Sequence, residues 1–145
     1  MSYIMKFQWA SLFLVLLSAA VMVHSQTDFV TKHIRMGQIN CNDEMKVVNN
    51  IHNKNRHTEC KPVNTFILQS EEVVNGLCID YNDQTITSPD TFTVIECRTD
   101  PQTHPPNCTY TGSPLSQYIT VVCKNGKPVH YQVELGVIQR FCGRL

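Results

Sequence analysis

Three separated segments of the chain carry side chains that could transfer protons and stabilise negative charge. They are Lys32-His33-Ile34, Cys60-Lys61-Pro62 and Val129-His130-Tyr131. An imidazole accepts or donates a proton near neutral pH, and each positioned transfer typically contributes about 10²–10⁴-fold to a rate. A lysine ammonium can stabilise charge that develops in a transition state. Together the segments offer a base, an acid and a cation, which is what phosphodiester cleavage needs when no metal takes part.

Each of these residues also has an ordinary structural explanation. A lone histidine such as His33 is more often a surface or core residue, and Lys61 alone would be a solvated charge. Thr65 alone would be a strand residue, and Tyr131 alone would more often be a packing aromatic. Only the occurrence of the three motifs in one chain favours chemistry. The other histidines match no part of this pattern and are interpreted as incidental: His24, His52, His57 and His104.

The order of the motifs resembles that of the pancreatic ribonuclease superfamily. The most specific segment is Cys60-Lys61-Pro62-Val63-Asn64-Thr65-Phe66-Ile67, with Lys32-His33-Ile34 before it and Lys127-Pro128-Val129-His130-Tyr131 after it. The likeness extends through Cys41-Asn42, Glu96-Cys97-Arg98, Asn107-Cys108-Thr109-Tyr110 and Val121-Val122-Cys123-Lys124. It is strongest toward the angiogenin-like, fish and amphibian members with six core cysteines. It implies an α+β, ribonuclease A-like fold with three short helices packed on a bent antiparallel sheet.

The resemblance also implies a role for each candidate site residue. His33 would be the general base and His130 the general acid of a first step that yields a 2′,3′-cyclic phosphate. Their roles would reverse when that product is hydrolysed, and Lys61 would stabilise the pentavalent phosphate. Four further residues would contact or support the substrate: Lys32 at phosphate oxygens, Asn64 beside Lys61, Thr65 at a pyrimidine edge and Tyr131 at the base pocket wall.

All seven cysteines follow residue 25, a density typical of a small secreted domain held by disulfides. Spacing alone leaves roughly a hundred arrangements of three bridges open. The resemblance implies the pairs Cys41–Cys97, Cys60–Cys108 and Cys78–Cys123. It leaves Cys142 over, because Thr120 occupies the place of the partner that amphibian relatives have. An intermolecular bridge and a free or capped thiol both remain open for Cys142.

The N-terminus predicts a signal peptide over residues 1–25. Lys6 precedes an apolar run from Trp9 to Val23, and small or polar residues follow it. The run is shorter than the roughly 20 apolar residues that cross a bilayer, so stable membrane insertion is not expected. The remaining residues, 26–145, fit one small domain with a C-terminal extension over about 136–145. We therefore expect a secreted, extracellular protein.

Charge excludes one class of function. Without residues 1–25 the chain keeps 11 basic and 12 acidic side chains, so it lacks a polycationic surface for salt-driven binding to long RNA or to anionic membranes. A local basic cleft is still compatible with this balance. No CxxC pair occurs and the histidines lack zinc-ligand spacing, so neither a metal site nor a cofactor is expected.

The pattern of apolar residues predicts helices early and strands late. Helices are expected over Thr27–Gly37 and Asn42–Asn50, and a third after the N-cap Ser70 with Val73, Val74 and Leu77 facing inward. Four strands are expected: Thr65–Gln69, Thr91–Arg98, Tyr118–Lys124 and Val129–Leu135. Turns are expected at Ser88–Asp90, Pro101–Asn107 and Asn125–Pro128.

The sequence departs from the pancreatic pattern at several positions. Gln132 stands where an aspartate usually orients the C-terminal histidine, Lys32 replaces a glutamine, and Lys124 replaces an acidic residue. The extra cysteine pair between the positions matching Cys78 and Cys97 is absent. Base preference downstream of the cut therefore cannot be carried over. Asn107-Cys108-Thr109 is formally a glycosylation sequon, whose use stays open because Cys108 is expected to be bridged.

The leading functional hypothesis is an endoribonuclease that cleaves single-stranded RNA on the 3′ side of pyrimidines. The main alternative is a secreted host-defence or angiogenin-like signalling protein of the same fold with weak or incidental ribonuclease activity. A disulfide-stapled binding module is a third. The expected partner is single-stranded RNA, with a cell-surface receptor, a ribonuclease inhibitor or a Cys142-linked dimer as further candidates. Cleavage of poly(C) in EDTA separates these classes.

Overall fold

The structure is a computed structural model that describes residues 2–54 and 58–132. Helix α1 runs from Ser2 to His33, strand β1 covers Ile34–Arg35, and helix α2 covers Cys41–His52. Next come β2 (Val63–Leu68), helix α3 (Glu71–Asn75), a 3₁₀ turn (Gly76–Cys78) and β3 (Gln84–Thr87). The chain continues with β4 (Phe92–Thr99), β5 (Tyr110–Thr111), β6 (Pro114–Gln117), β7 (Thr120–Lys124) and β8 (Lys127–Gln132).

The strands form two hydrogen-bonded sheets, which confirms the expected α+β class. The five-stranded sheet has the order β1-β2-β4-β5, with β6 also paired to β4, and the other sheet has the order β3-β7-β8. All neighbours are antiparallel except β1 and β2, which pair in parallel through Ile34 opposite Ile67. The prediction of an antiparallel sheet is therefore correct for most strand pairs, but it did not include the short parallel pair of β1 and β2.

Two apolar cores lie on either side of the central strands. Phe66 of β2 and Ile95 of β4 pack with Met45 and Val48 of α2. The strand residues next to Phe66 and Ile95 point to the opposite face of the sheet, because successive side chains of a strand alternate. Those residues pack with Phe29 and Tyr131 in a second core, whose strand members include Ile67, Val94, Val121 and Cys123. Strand β2 is therefore buried on both faces, and it carries two of the candidate site residues between the cores.

The disulfides pair as the resemblance implies. Cys41–Cys97 joins α2 to β4, Cys60–Cys108 joins the segment before β2 to the segment before β5, and Cys78–Cys123 joins the 3₁₀ turn to β7. Each pair is 45 to 56 residues apart in sequence. In the chain-entropy view a loop of that length adds about 4 kcal/mol to the free energy of unfolding.

The first helix differs most from its prediction. It begins at Ser2 rather than Thr27 and ends at His33, while Gly37 lies beyond it at a φ of +78°. Side chains from Phe13 to Val23 whose positions are described are exposed, and the helix enters the core only at Phe29. By length and composition, Phe13–His33 could cross a membrane, a test that signal sequences near an N-terminus also pass.

Other boundaries follow the prediction within a few residues. Helix α2 extends from Cys41 to His52, and Ser70 is confirmed as the cap of α3 because its hydroxyl accepts from Val73 N. Val74 is buried as expected, but Val73 is 47% exposed, so its predicted inward position is wrong. The last predicted strand is observed over Lys127–Gln132, and residues 133–135 lie outside the described residues.

Three short strands, β3, β5 and β6, were not expected because their sequences are brief and polar. They exist because β7 and β4 offer them partners, as in the pairing of Thr87 with Thr120 and of Leu115 with Val94. A glycine is required at position 112, between β5 and β6, because the backbone of β4 approaches it closely. A Cβ there would lie 2.6 Å from the Glu96 carbonyl oxygen. The Asn125-Gly126 turn between β7 and β8 has positive φ at both residues, as tight hairpins need.

Candidate active site

His33 ends helix α1 and is held from three sides. The residue is 9% exposed, and its ring lies between the rings of Phe29 and Tyr131, each with its centroid 5.2 Å from the imidazole centroid. Nδ1 lies 2.9 Å from the carbonyl oxygen of Thr65. Because a carbonyl only accepts, Nδ1 carries the proton in this bond. The Nε2 lone pair of the neutral ring is then free to accept a proton.

The surroundings of His33 keep its ring neutral. Burial lowers the pKa of His33 from 6.5 to about 3, although the hydrogen bond to the Thr65 carbonyl opposes this effect. The positive charges of Lys61, Lys32 and His130 lower the pKa further. These charges act on one imidazole although they come from three distant parts of the sequence. The His33 ring is therefore unprotonated at neutral pH.

The side chain of Lys61 is tied to the end of α1 through Asn64. Its Nζ donates to Asn64 Oδ1 at 2.8 Å, and Asn64 Nδ2 donates to the carbonyl oxygen of Lys32 at 2.8 Å. Asn64 is only 2% exposed, so this bridge is fixed inside the protein. Burial, with a contribution from the charge of Lys32, lowers the pKa of Lys61 from 10.5 to about 8. Lys32 itself is half-buried.

The backbone of Lys61 has partners of its own. Its amide N–H donates to Asn49 Oδ1 at 2.9 Å, and its carbonyl oxygen accepts from the Tyr110 hydroxyl at 2.8 Å. The sequence did not single out Asn49. The available signal was its position four residues after Met45 and eight after Cys41, which places an amide on the buried face of α2.

Thr65 and Tyr131 lie beside His33. Thr65 is buried in β2 opposite Glu96 of β4, and its carbonyl oxygen is occupied by the His33 ring. Tyr131 is buried in β8, and its hydroxyl accepts from Gln117 Nε2 at 3.2 Å. These two residues thus flank the base from β2 and from β8.

His130 lies next to Tyr131 on β8, opposite Val122 of β7, but on the exposed side of the strand. Within residues 2–54 and 58–132, no side chain forms a hydrogen bond with its ring. Gln132, at the position where the family usually has an aspartate, is exposed. His130 is therefore a surface imidazole whose charge still reaches His33.

The incidental histidines do not join this cluster. His52 contacts Glu59 at 2.7 Å, His24 lies 3.7 Å from Asp28, and His104 is exposed in the loop before Cys108. His57 lies outside the described residues. Across the part of the chain that the structure describes, no three His, Cys, Asp or Glu side chains converge as a metal site would require.

The site therefore combines a neutral imidazole with a fixed tautomer, a second imidazole that solvent can reach, and two ammonium groups. Fold and site together define a disulfide-linked protein equipped for acid–base chemistry on an anionic substrate. The pancreatic ribonuclease family model matches residues 24–132. The chain belongs to the pancreatic ribonuclease family, and this membership supports ribonuclease activity.

Individual relatives agree with this assignment. The chain is 32% identical over 82 residues to the pancreatic ribonuclease of Iguana iguana, covering 54% of this chain and 69% of the relative. It is 36% identical over 104 residues to the oocytes ribonuclease of Aquarana catesbeiana, covering 71% and 74%. The solved structure of RNASE ZF-1A superposes with a TM-score of 0.67 at 27% identity, covering 79% of this chain and 94% of that one.

Proposed function

We propose that the chain is a secreted, metal-independent endoribonuclease that cleaves single-stranded RNA on the 3′ side of pyrimidines. The observation that carries this proposal is the convergence of charges on His33. Lys32, Lys61 and His130 all act on an imidazole whose Nδ1 is fixed by Thr65. Family membership independently supports a ribonuclease.

In the first step, Nε2 of His33 takes the proton of the ribose 2′-hydroxyl. The 2′-oxygen forms a bond to phosphorus while the bond from phosphorus to the 5′-oxygen breaks, and His130 gives its proton to that oxygen. Lys61 stabilises the charge that accumulates on the phosphoryl oxygens, and Lys32 contacts the same phosphate. The product is a 2′,3′-cyclic phosphate.

In the second step the roles reverse. His130, now neutral, takes a proton from water, the water oxygen bonds to phosphorus, and His33 returns its proton to the departing 2′-oxygen. Both steps use only protein side chains as base, acid and cation, which is why no metal is invoked.

The base pocket of the proposal lies between β2 and β8. The Thr65 hydroxyl and backbone would bind the edge of a pyrimidine, and the Tyr131 ring would form the wall. Asn64 would keep Lys61 in place through the bridge to the Lys32 carbonyl oxygen.

The test is digestion of poly(C), poly(U) and poly(A) by the full-length chain in excess EDTA, with His33→Ala and His130→Ala as controls. We expect cleavage of the two pyrimidine polymers, accumulation of 2′,3′-cyclic phosphate ends and loss of activity in both variants. Equal activity in all three proteins would remove the catalytic assignment. Inhibition by EDTA would remove metal independence alone.

The organisation of the chain forms part of the proposal. Residues 1–25 are proposed as a cleaved signal peptide and 26–145 as one ribonuclease domain, with Cys142 in an extension outside the described residues. N-terminal sequencing of the secreted protein tests the cleavage site. A non-reducing gel tests a Cys142-linked dimer, and a monomer alone would exclude it.

A further inference from the structure

Asn49, on helix α2, takes part in a closed ring of three hydrogen bonds around Lys61. Lys61 N–H donates to Asn49 Oδ1 at 2.9 Å, Asn49 Nδ2 donates to the Tyr110 hydroxyl at 2.9 Å, and that hydroxyl donates to the Lys61 carbonyl oxygen at 2.8 Å. The orientation of the Asn49 amide follows from its partners, since a backbone N–H can only face the amide oxygen. The Tyr110 hydroxyl has one proton, and the Lys61 carbonyl oxygen is nearer to it than Asn49 Oδ1, which lies at 3.2 Å. In the ring, each of the three residues therefore donates one bond and accepts one.

This ring is partly buried, so losing one of its hydrogen bonds should cost more free energy than losing a hydrogen bond at the surface. Tyr110 is 5% exposed and Asn49 is half-buried, so solvent replaces their partners poorly. Groups that donate and accept in turn also polarise one another, and leaving one of them unpaired costs more than the average bond contributes. The ring therefore holds both polar groups of the Lys61 backbone at once.

The ring connects Lys61 to two elements that are themselves anchored. The Cys41–Cys97 disulfide joins the start of α2 to β4, and Tyr110 N donates to Asn42 Oδ1 at 2.7 Å. On the side chain of Lys61, Asn64 fixes the ammonium from β2. Position along the backbone and position of the ammonium are thus set by different residues.

We propose that Asn49 is a positioning residue for Lys61, which holds the lysine backbone so that its ammonium meets the scissile phosphate. The claim that the ammonium then meets the phosphate rests on the proposed function, whereas the claim that Asn49 holds the Lys61 backbone does not. Within the described residues, the side-chain hydrogen bonds of Asn49 go to Lys61 and Tyr110 and not to His33 or the proposed base pocket residues. Its effect on catalysis should therefore pass through Lys61 alone.

The competing explanation is that the ring only stabilises the fold. A double-mutant cycle separates the two explanations because a structural defect would act whether or not the lysine is present. The proteins are the full-length chain with Asn49→Ala, Lys61→Ala and both together. Asn50→Ala is the matched control, since Asn50 is the next residue of α2 and is exposed. Asn49→Leu is included as a variant of similar size that removes the hydrogen bonds but retains packing volume.

The first readout is kcat and KM on the dinucleotide cytidylyl-3′,5′-adenosine. We expect Asn49→Ala and Asn49→Leu to lower kcat by about 10- to 100-fold, because a small displacement of a catalytic group is costly. KM should change little, and Asn50→Ala should match the wild type. In the Lys61→Ala background the same substitution should cost less than about twofold. An equal loss in both backgrounds would overturn the proposal.

The second readout does not depend on catalysis. The pKa of Lys61 is followed by NMR of the ¹³C-dimethylated protein, with the signal assigned by its absence in Lys61→Arg. Displacing the Lys61 backbone should pull the ammonium away from Asn64 and out of its buried position. Its pKa should therefore rise from about 8 toward 10.5 in the Asn49 variants and stay unchanged in Asn50→Ala. An unchanged Lys61 pKa in folded Asn49→Leu would refute the positioning role. If the wild type cleaves no RNA, the proposed function fails, while this readout still decides whether Asn49 positions Lys61.

Discussion

His33 and His130 are the two imidazoles of the candidate site, and their environments are opposite. His33 is buried between two aromatic rings and donates to a backbone carbonyl, so its tautomer and position are fixed. His130 is exposed on β8, and its ring has no hydrogen-bonding side chain within the described residues. The fold thus fixes His33, the proposed base, and leaves His130, the proposed acid, exposed to solvent. We infer that the two residues contribute alike to catalysis and differently to stability.

Loss of activity should be the largest effect, and here the two histidines should not differ. His33→Ala and His130→Ala should each reduce kcat on poly(C) by about 10²–10⁴-fold, the usual contribution of one positioned proton transfer. The double variant should lose little more than the worse single variant, because both residues serve one reaction. Initial rates in EDTA measure all three losses. A His130→Ala variant with wild-type kcat would show that the exposed imidazole is not the acid.

The effect on the free energy of unfolding should be smaller, and here the two histidines should differ clearly. His33→Ala leaves the Thr65 carbonyl oxygen without its donor inside the core, which should lower the free energy of unfolding by about 1–3 kcal/mol. His130→Ala alters an exposed position and should change it by less than about 0.5 kcal/mol. Urea denaturation at pH 7 gives both values. Equal destabilisation by the two substitutions would contradict the structural contrast.

The pH dependence of stability sharpens the same contrast. The pKa of His33 is about 3 in the folded chain and 6.5 ordinarily. Between these values the unfolded chain binds a proton that the folded chain does not, so stability falls as the pH decreases through this window. The slope from one such group reaches about 1.4 kcal/mol per pH unit.

Urea denaturation from pH 3 to 7 should therefore show that the free energy of unfolding depends less steeply on pH in His33→Ala than in the wild type. His130→Ala is the control, and a wild-type slope in His33→Ala would refute the burial of a neutral imidazole.

The smallest expected effect comes from giving His130 a carboxylate partner. Gln132→Asp introduces a carboxylate where the family usually has one, and it should raise kcat by less than about tenfold because the proton donor itself is already present. The comparison of kcat for Gln132→Asp and for Gln132→Asn, a neutral control, isolates the charge. A decrease in Gln132→Asp would mean that His130 is oriented in some other way.

Much of the fold was predictable from local signals and from the family resemblance. Ser70 was recognisable as a cap and the Asn125-Gly126 hairpin from its turn residues, whereas the disulfide pairs followed only from the family resemblance. The end of α1 was not predictable from its own residues. Gly37 marks a plausible stop, but Ile34 leaves the helix earlier to pair with Ile67 of β2. That partner is 33 residues away, beyond the reach of periodicity.

The residue types of the candidate site were predictable, but its physical state was not. The motifs indicate His33, Lys61 and His130, yet they do not reveal that one imidazole is buried and the other exposed. That difference arises from the packing of Phe29 and Tyr131, which come from α1 and β8. Asn49 was missed for a related reason. Its position on the buried face of α2 was visible, but its partners at Lys61 and Tyr110 follow only from the tertiary structure.

The decisive question for the proposed mechanism is whether His33 and His130 bind the same phosphate. Cytidine 3′-phosphate is titrated into the full-length chain while the ring Cε1–H signals of His33 and His130 are followed by NMR, with the signals assigned by the alanine variants. If both imidazoles flank one phosphate, both signals shift with the same Kd. A shift of only one signal, or shifts with clearly different Kd values, would contradict it.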